Sequence, residues 1–176
     1  MQRLFVIVLF SIPVFLFSCK REKTELLDRI NVVEKNINKD SLGTFNKGLA
    51  IEASDLYIDF VNKFPDDEKA PDMLFKAANI NNRILLFEQA VLLCKKLYVD
   101  YPEHKKAPVC LFLSAFISEN YLHNLDKAKT EYTEFLDKYP HHELAKDARF
   151  SIQHLGKSDL ELIKEFKSDS SKISVR

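Results

Sequence analysis

Three cysteines and five histidines are the side chains of this 176-residue chain best suited to nucleophilic, redox or metal chemistry. Their spacing supports little of it. Cys94 and Cys110 stand eight residues before and eight after Pro102, so two helices joined there could bring the thiols opposite each other. A disulfide between them is one reading; a pair of buried free thiols at apolar helix positions is the other. His141-His142-Glu143 is the densest run of ligand-type residues. Adjacent side chains on a helix point about 100° apart, so these two histidines are poorly placed to share a metal. His104, His123 and His154 are isolated, and Asp66-Asp67 and Asp126 read as helix caps. No P-loop, GxSxG, HExxH or CxxC occurs. The expectation is therefore a protein that is not an enzyme, with no cofactor, no metal and no small-molecule substrate.

Composition narrows the class further. Lys plus Arg and Asp plus Glu both total 26, leaving none of the basic surplus that nucleic-acid binding requires. With 46% apolar residues the chain can bury a core, and with only 3 glycines it lacks the turns of a sandwich or barrel. It reads as all-α.

The third cysteine, Cys19, sits where an apolar run stops. Leu4 to Phe17 is interrupted only by Ser11 and Pro13, and Lys20-Arg21-Glu22-Lys23 follows at once. So short a run fits the h-region of a secretory signal, since a spanning helix needs about 20 apolar residues. Leu16-Phe17-Ser18-Cys19 resembles the lipobox of bacterial lipoproteins, with an aliphatic residue at −3 and a small one at −1. That resemblance implies a signal peptide over 1–18 and acylation of Cys19, palmitate included. With no Asp beside Cys19, it implies an outer-membrane address facing the periplasm.

The elements that would carry any binding surface are set by a repeat. Phe64-Pro65, Tyr101-Pro102 and Tyr139-Pro140 recur at spacings of 37 and 38 residues. Aligned on these prolines, Ala53, Ala90 and Ala128 stand twelve upstream, and Tyr57, Cys94 and Tyr132 eight upstream. Phe60, Leu97 and Phe135 stand five upstream, Ala70, Ala107 and Ala145 five downstream, and Phe75, Phe112 and Phe150 ten downstream. A joint proline ends one helix, and Pro71 and Pro108 fall in the first turn of the next, where a missing N–H costs nothing. Helices are expected near 46–63, 69–82, 85–100, 106–121, 125–138 and 143–155. An isolated amphipathic helix is expected over 24–38, with a linker to Phe45. Gly156 should stop the last repeat helix, before a capping helix to about Phe166. The domain plan is thus 1–18 signal, 19–45 lipidated N-terminus, helix and linker, 46–166 repeats and cap, and 167–176 a disordered tail.

This register resembles the tetratricopeptide repeat (TPR), in the longer variant of BamD- and YbgF-type envelope lipoproteins, over roughly residues 46–155. Asn81 and Ser118 stand where that pattern has tyrosine. The resemblance implies a right-handed solenoid of stacked antiparallel helix pairs, about three and a half repeats long. It implies a concave face that grips protein or peptide partners, with Asn79, Asn82 and Arg83 in one repeat and Phe116, Glu119 and Asn120 in the next. Two roles follow from it: BamD-like outer-membrane protein assembly, or YbgF-like coordination of constriction with the Tol-Pal system. The second would use the helix at 24–38 as an oligomerising coiled coil.

Overall fold

The computed structural model describes residues 4–39, 46–157 and 160–164, with the side chains of 20–37 in the first stretch. Among these residues every regular element is helical and no strand occurs. The helices are α1 (Leu4–Lys39), α2 (Lys47–Lys63), α3 (Ala70–Arg83), α4 (Phe87–Asp100), α5 (Ala107–Asn120), α6 (Leu125–Lys138) and α7 (Ala145–His154). Residues 160–164 are helical as well. The protein is all-α, and α2 to α7 begin and end within two residues of the expected bounds.

The ends have local causes. Asn46 and Asn124 cap α2 and α6, each side-chain oxygen accepting from the backbone N–H three residues on (Leu49 and Lys127). Pro71 and Pro108 occupy the first turns of α3 and α5. Leu85 and His123 take left-handed φ values of 67° and 51° in the turns after α3 and α5. Gly156 does so at 76° beyond α7. The positive φ is what calls for glycine at 156; a Cβ there would also come within 2.9 Å of Leu125 Cδ1, a side-chain end that can shift.

The chain forms two compact units, Met1–Leu86 and Phe87–Arg176. In the first, α2 packs against both α1 and α3. Flanked on two sides, α2 buries Ala50, Ala53, Leu56, Tyr57, Phe60 and Val61, more than one face of a helix. In the second unit α5 holds the equivalent place between α4 and α6, with α7 packed on α6. Its sequence, APVCLFLSAFISEN, is apolar on nearly every side, as a helix surrounded by others must be. The repeat alanines twelve residues before and five after each joint proline are all buried, allowing close backbone approach.

α1 differs from expectation. Residues 24–38 are neither isolated nor a separate helix: α1 runs unbroken from Leu4, and Leu26, Ile30 and Val33 are buried in the first unit. Thr24, expected near the start, instead donates its hydroxyl to the Lys20 carbonyl at 3.0 Å, inside the helix. The four residues after Cys19 are strong helix formers with no cap or breaker among them, so nothing stops the helix there. Of the expected linker, 40–45 lie outside the described residues, as do 158–159 and the whole of 167–176.

Candidate functional site

The first unit carries an open groove between α1 and α3, lined by two adjoining hollows. One, of about 600 Å³, is lined by Leu27, Ile30, Asn31 and Glu34 of α1, Lys69, and Asp72, Met73, Phe75 and Lys76 of α3. The other, of about 390 Å³, takes in Glu34, Ile37, Tyr57, Phe75, Lys76, Asn79 and Ile80. The apolar side chains form its floor because α1 and α3 both turn their stripes toward α2. At its middle the Lys76 ammonium meets Glu34 Oε1 at 2.7 Å, and the Tyr57 hydroxyl donates to the same oxygen at 2.7 Å. Lys76 also lies 5.5 Å over the Tyr57 ring. Burial pushes the Glu34 carboxyl up, but the hydrogen bonds from Lys76 and Tyr57 outweigh it and hold the group below the usual range. The site thus combines apolar contact area with a charged pair that a peptide backbone or side chain can engage.

Of the residues expected on the concave face, Asn79 lines this groove, and its amide donates back to the Phe75 carbonyl at 2.8 Å. Arg83 is exposed at the end of α3, while Asn82 is half-buried with its Oδ1 lacking a hydrogen-bond partner. In the second unit Phe116 is 37% exposed and meets Tyr121 edge-on, so it is a surface side chain rather than core. Glu119 accepts from the Tyr132 hydroxyl at 2.9 Å, and Asn120 donates to the Phe116 carbonyl at 3.0 Å. Glu119 is committed to an internal bond, and Asn120 makes the same bond within its own helix that Asn79 makes in α3. Asn81, which stands where the family pattern has tyrosine, is buried and donates to Ser54 Oγ at 2.6 Å.

Cys94 and Cys110 are both buried and carried as free thiols rather than as a bridge. They are neighbours across α4 and α5: the hydrogen bond to Cys110, then burial, pushes the Cys94 thiol well up, so it is a poor nucleophile. Beside them lies a group the sequence reading missed. Glu131 is buried, accepts from Ser114 Oγ at 2.8 Å, and leaves its Oε2 without a partner. Lys127 one turn earlier, at 3.5 Å, makes it look in sequence like an ordinary surface pair. Burial raises its carboxyl above the ordinary value despite Ser114 and Lys127. A raised folded-state pKa means the native state holds the proton more tightly. This carboxyl therefore costs stability increasingly as pH rises from its unfolded value toward its folded one, and most above that window. Relative to wild type, Glu131→Gln should gain in urea midpoint between pH 4 and pH 7, and a difference that does not change with pH would refute this.

The joints share a further feature, which the sequence anticipates only at Asp67. Two residues after each joint proline, a side chain accepts the backbone N–H two positions on. Asp67 Oδ1 takes Lys69 at 2.9 Å, His104 Nδ1 takes Lys106 at 3.4 Å, and His142 Nδ1 takes Leu144 at 3.2 Å. His104 and His142 thus hold the same N–H of the joint that Asp67 holds, a turn contact just ahead of α5 and α7 and not a cap of either helix. Among the described residues no three His, Cys, Asp or Glu side chains stand together as a metal site. The backbone of Cys19 lies within α1, but its side chain is outside the described residues. Among those residues no helix is long and apolar enough to cross a membrane. No protein-family model matches the chain, and no curated protein matches it.

Proposed function

We propose that this protein is a lipid-anchored scaffold of the outer membrane, facing the periplasm, whose TPR-like helices bind peptide segments of partner proteins, foremost in outer-membrane protein assembly. The observation that carries the reading is the α1–α3 groove, whose apolar floor is flanked by polar side chains, with the Glu34–Lys76 pair at its middle. Such a surface suits an extended or helical segment presenting apolar residues on one side. The anchor rests on Leu16, Ser18 and Cys19 at the end of the apolar run. The alternative, Tol-Pal coordination through an N-terminal coiled coil, needs a free apolar seam on α1. Leu26, Ile30 and Val33 already face the core of the first unit, which favours the assembly role.

A photo-crosslinking amino acid in place of Asn79, in the groove, should trap a defined envelope protein in living cells. The same group in place of Asn62, exposed on α2, serves as control. Recovery of a β-barrel assembly component at Asn79 supports the reading, and recovery of Tol-Pal components supports the alternative. Equal or absent capture at the two positions would sink the groove.

A further inference from the structure

The charged residues that follow Cys19 are not a loose tether; they are part of the folded first unit. α1 is already helical at Lys20. Lys23 pairs with Asp67, and Glu22 pairs with Lys63 Nζ at 2.9 Å, so the stretch of α1 just after Cys19 is tied to the end of α2 and the turn that follows it. Burial pushes the Asp67 carboxyl up, but the Lys23 and Lys69 bonds prevail and hold it below its ordinary value. An acyl chain on Cys19 would therefore leave no slack between the bilayer and this end of the unit. The surface there carries Lys20, Lys63 and Lys69 beside Glu22, Asp66 and Glu68, all exposed and three of each sign. Mixed charge of this kind suits headgroups that themselves carry an amine and a phosphate, with no net attraction to an anionic leaflet.

We propose that the α2–α3 turn, residues 64–69, together with residues 20–23 of α1, is a docking surface that rests on zwitterionic phospholipid headgroups. The proposal rests on the acylation of Cys19 put forward above. It fixes which end of the first unit faces the membrane. Leu27 and Ile37 lie eight and eighteen residues beyond Cys19, which places the groove about 12–27 Å along α1 from the anchor at 1.5 Å per residue. The groove would then meet segments of a partner that run close to the bilayer.

The test uses the acylated full-length protein in phosphatidylethanolamine–phosphatidylcholine vesicles in which some lipids carry a headgroup nitroxide. Asp66→Cys places a fluorophore in the turn, and Lys47→Cys places one at the other end of α2, about 24 Å away. Cys94 and Cys110 are buried and stay unlabelled under native conditions. Quenching should be several-fold stronger at 66 than at 47, and a flexible Gly-Ser insertion between Cys19 and Lys20 should abolish the difference. Protein that floats with the vesicles but is quenched equally at both positions overturns the docking surface and leaves the anchor standing. A difference that survives the insertion shows that the surface holds the headgroups by its own charges, and overturns only the direct joining through α1. Protein that fails to float overturns the anchor, and the surface with it.

Discussion

Cys19→Ala is expected to remain an uncleaved precursor that takes up no palmitate, whereas the wild type is acylated, runs as a mature form lacking 1–18, and partitions wholly into detergent. The thiol is the acyl acceptor in the lipobox reading, so without it neither modification nor the processing that depends on it proceeds. The apolar run from Leu4 to Phe17 would extend only about 21 Å as a helix, short of a hydrocarbon core of about 30 Å. It can hold the precursor at the membrane only as an imperfect anchor. Folding should be untouched, because Leu26, Ile30 and Val33 bury themselves against helices and none depends on lipid. The urea midpoints of the two proteins should therefore agree. Wild type that incorporates no palmitate, or a Cys19→Ala protein that is cleaved and released, would place the cleavage with an ordinary signal peptidase.

Phe60→Ala should be the most destabilising single truncation in the first unit, at about 3–5 kcal/mol. The ring is fully buried on α2, the helix that both α1 and α3 pack against, and it lies 5.4 Å from the Phe64 ring. Total stabilities of small domains are about 5–15 kcal/mol, so this loss takes a large part of what the unit has. Loss of α2 also removes the floor under the groove, and peptide capture through Asn79 should fall with it. Hydrogen exchange can separate the units: amides of α2 and α3 should lose protection, while those around Leu97 and Phe135 keep theirs. A cost below about 1 kcal/mol would show that the cavity collapses easily and that Phe60 is not central.

Much of this architecture is legible in the residues because a repeat supplies several independent copies of each signal. The prolines set the joints and the alanines identify the buried faces, so the bounds of α2 to α7 follow closely, although the cap of α6 is Asn124 and not the Asp126 expected. The same signals are silent on α1. Amphipathic periodicity shows where a helix buries a stripe, but not whether the helix continues upstream into a segment of different character. The candidate site was less legible. Asn79 could be placed by register, but the groove depends on α1 lying beside α3, and nothing local announces that pairing. Glu131 is spaced to pair with Lys127, as an exposed carboxylate would be, and only the packing of α5 over α6 buries it. His104 and His142 reach the joint N–H that Asp67 reaches in the first joint, which histidine does only when the ring is correctly turned.

In each unit, the extensive packing is between helices next to one another in the chain: α1 with α2 and α2 with α3, then α4 with α5, α5 with α6 and α6 with α7. The consequence is kinetic. Few loops need to close over long stretches before contacts reward them, so the contact order is low and each unit should form on the microsecond-to-millisecond scale typical of helical domains. On the secretory route proposed above, the first unit can complete its core once Leu86 has crossed the membrane, before the second has followed, and its described residues expose no unpaired sheet edge while it waits.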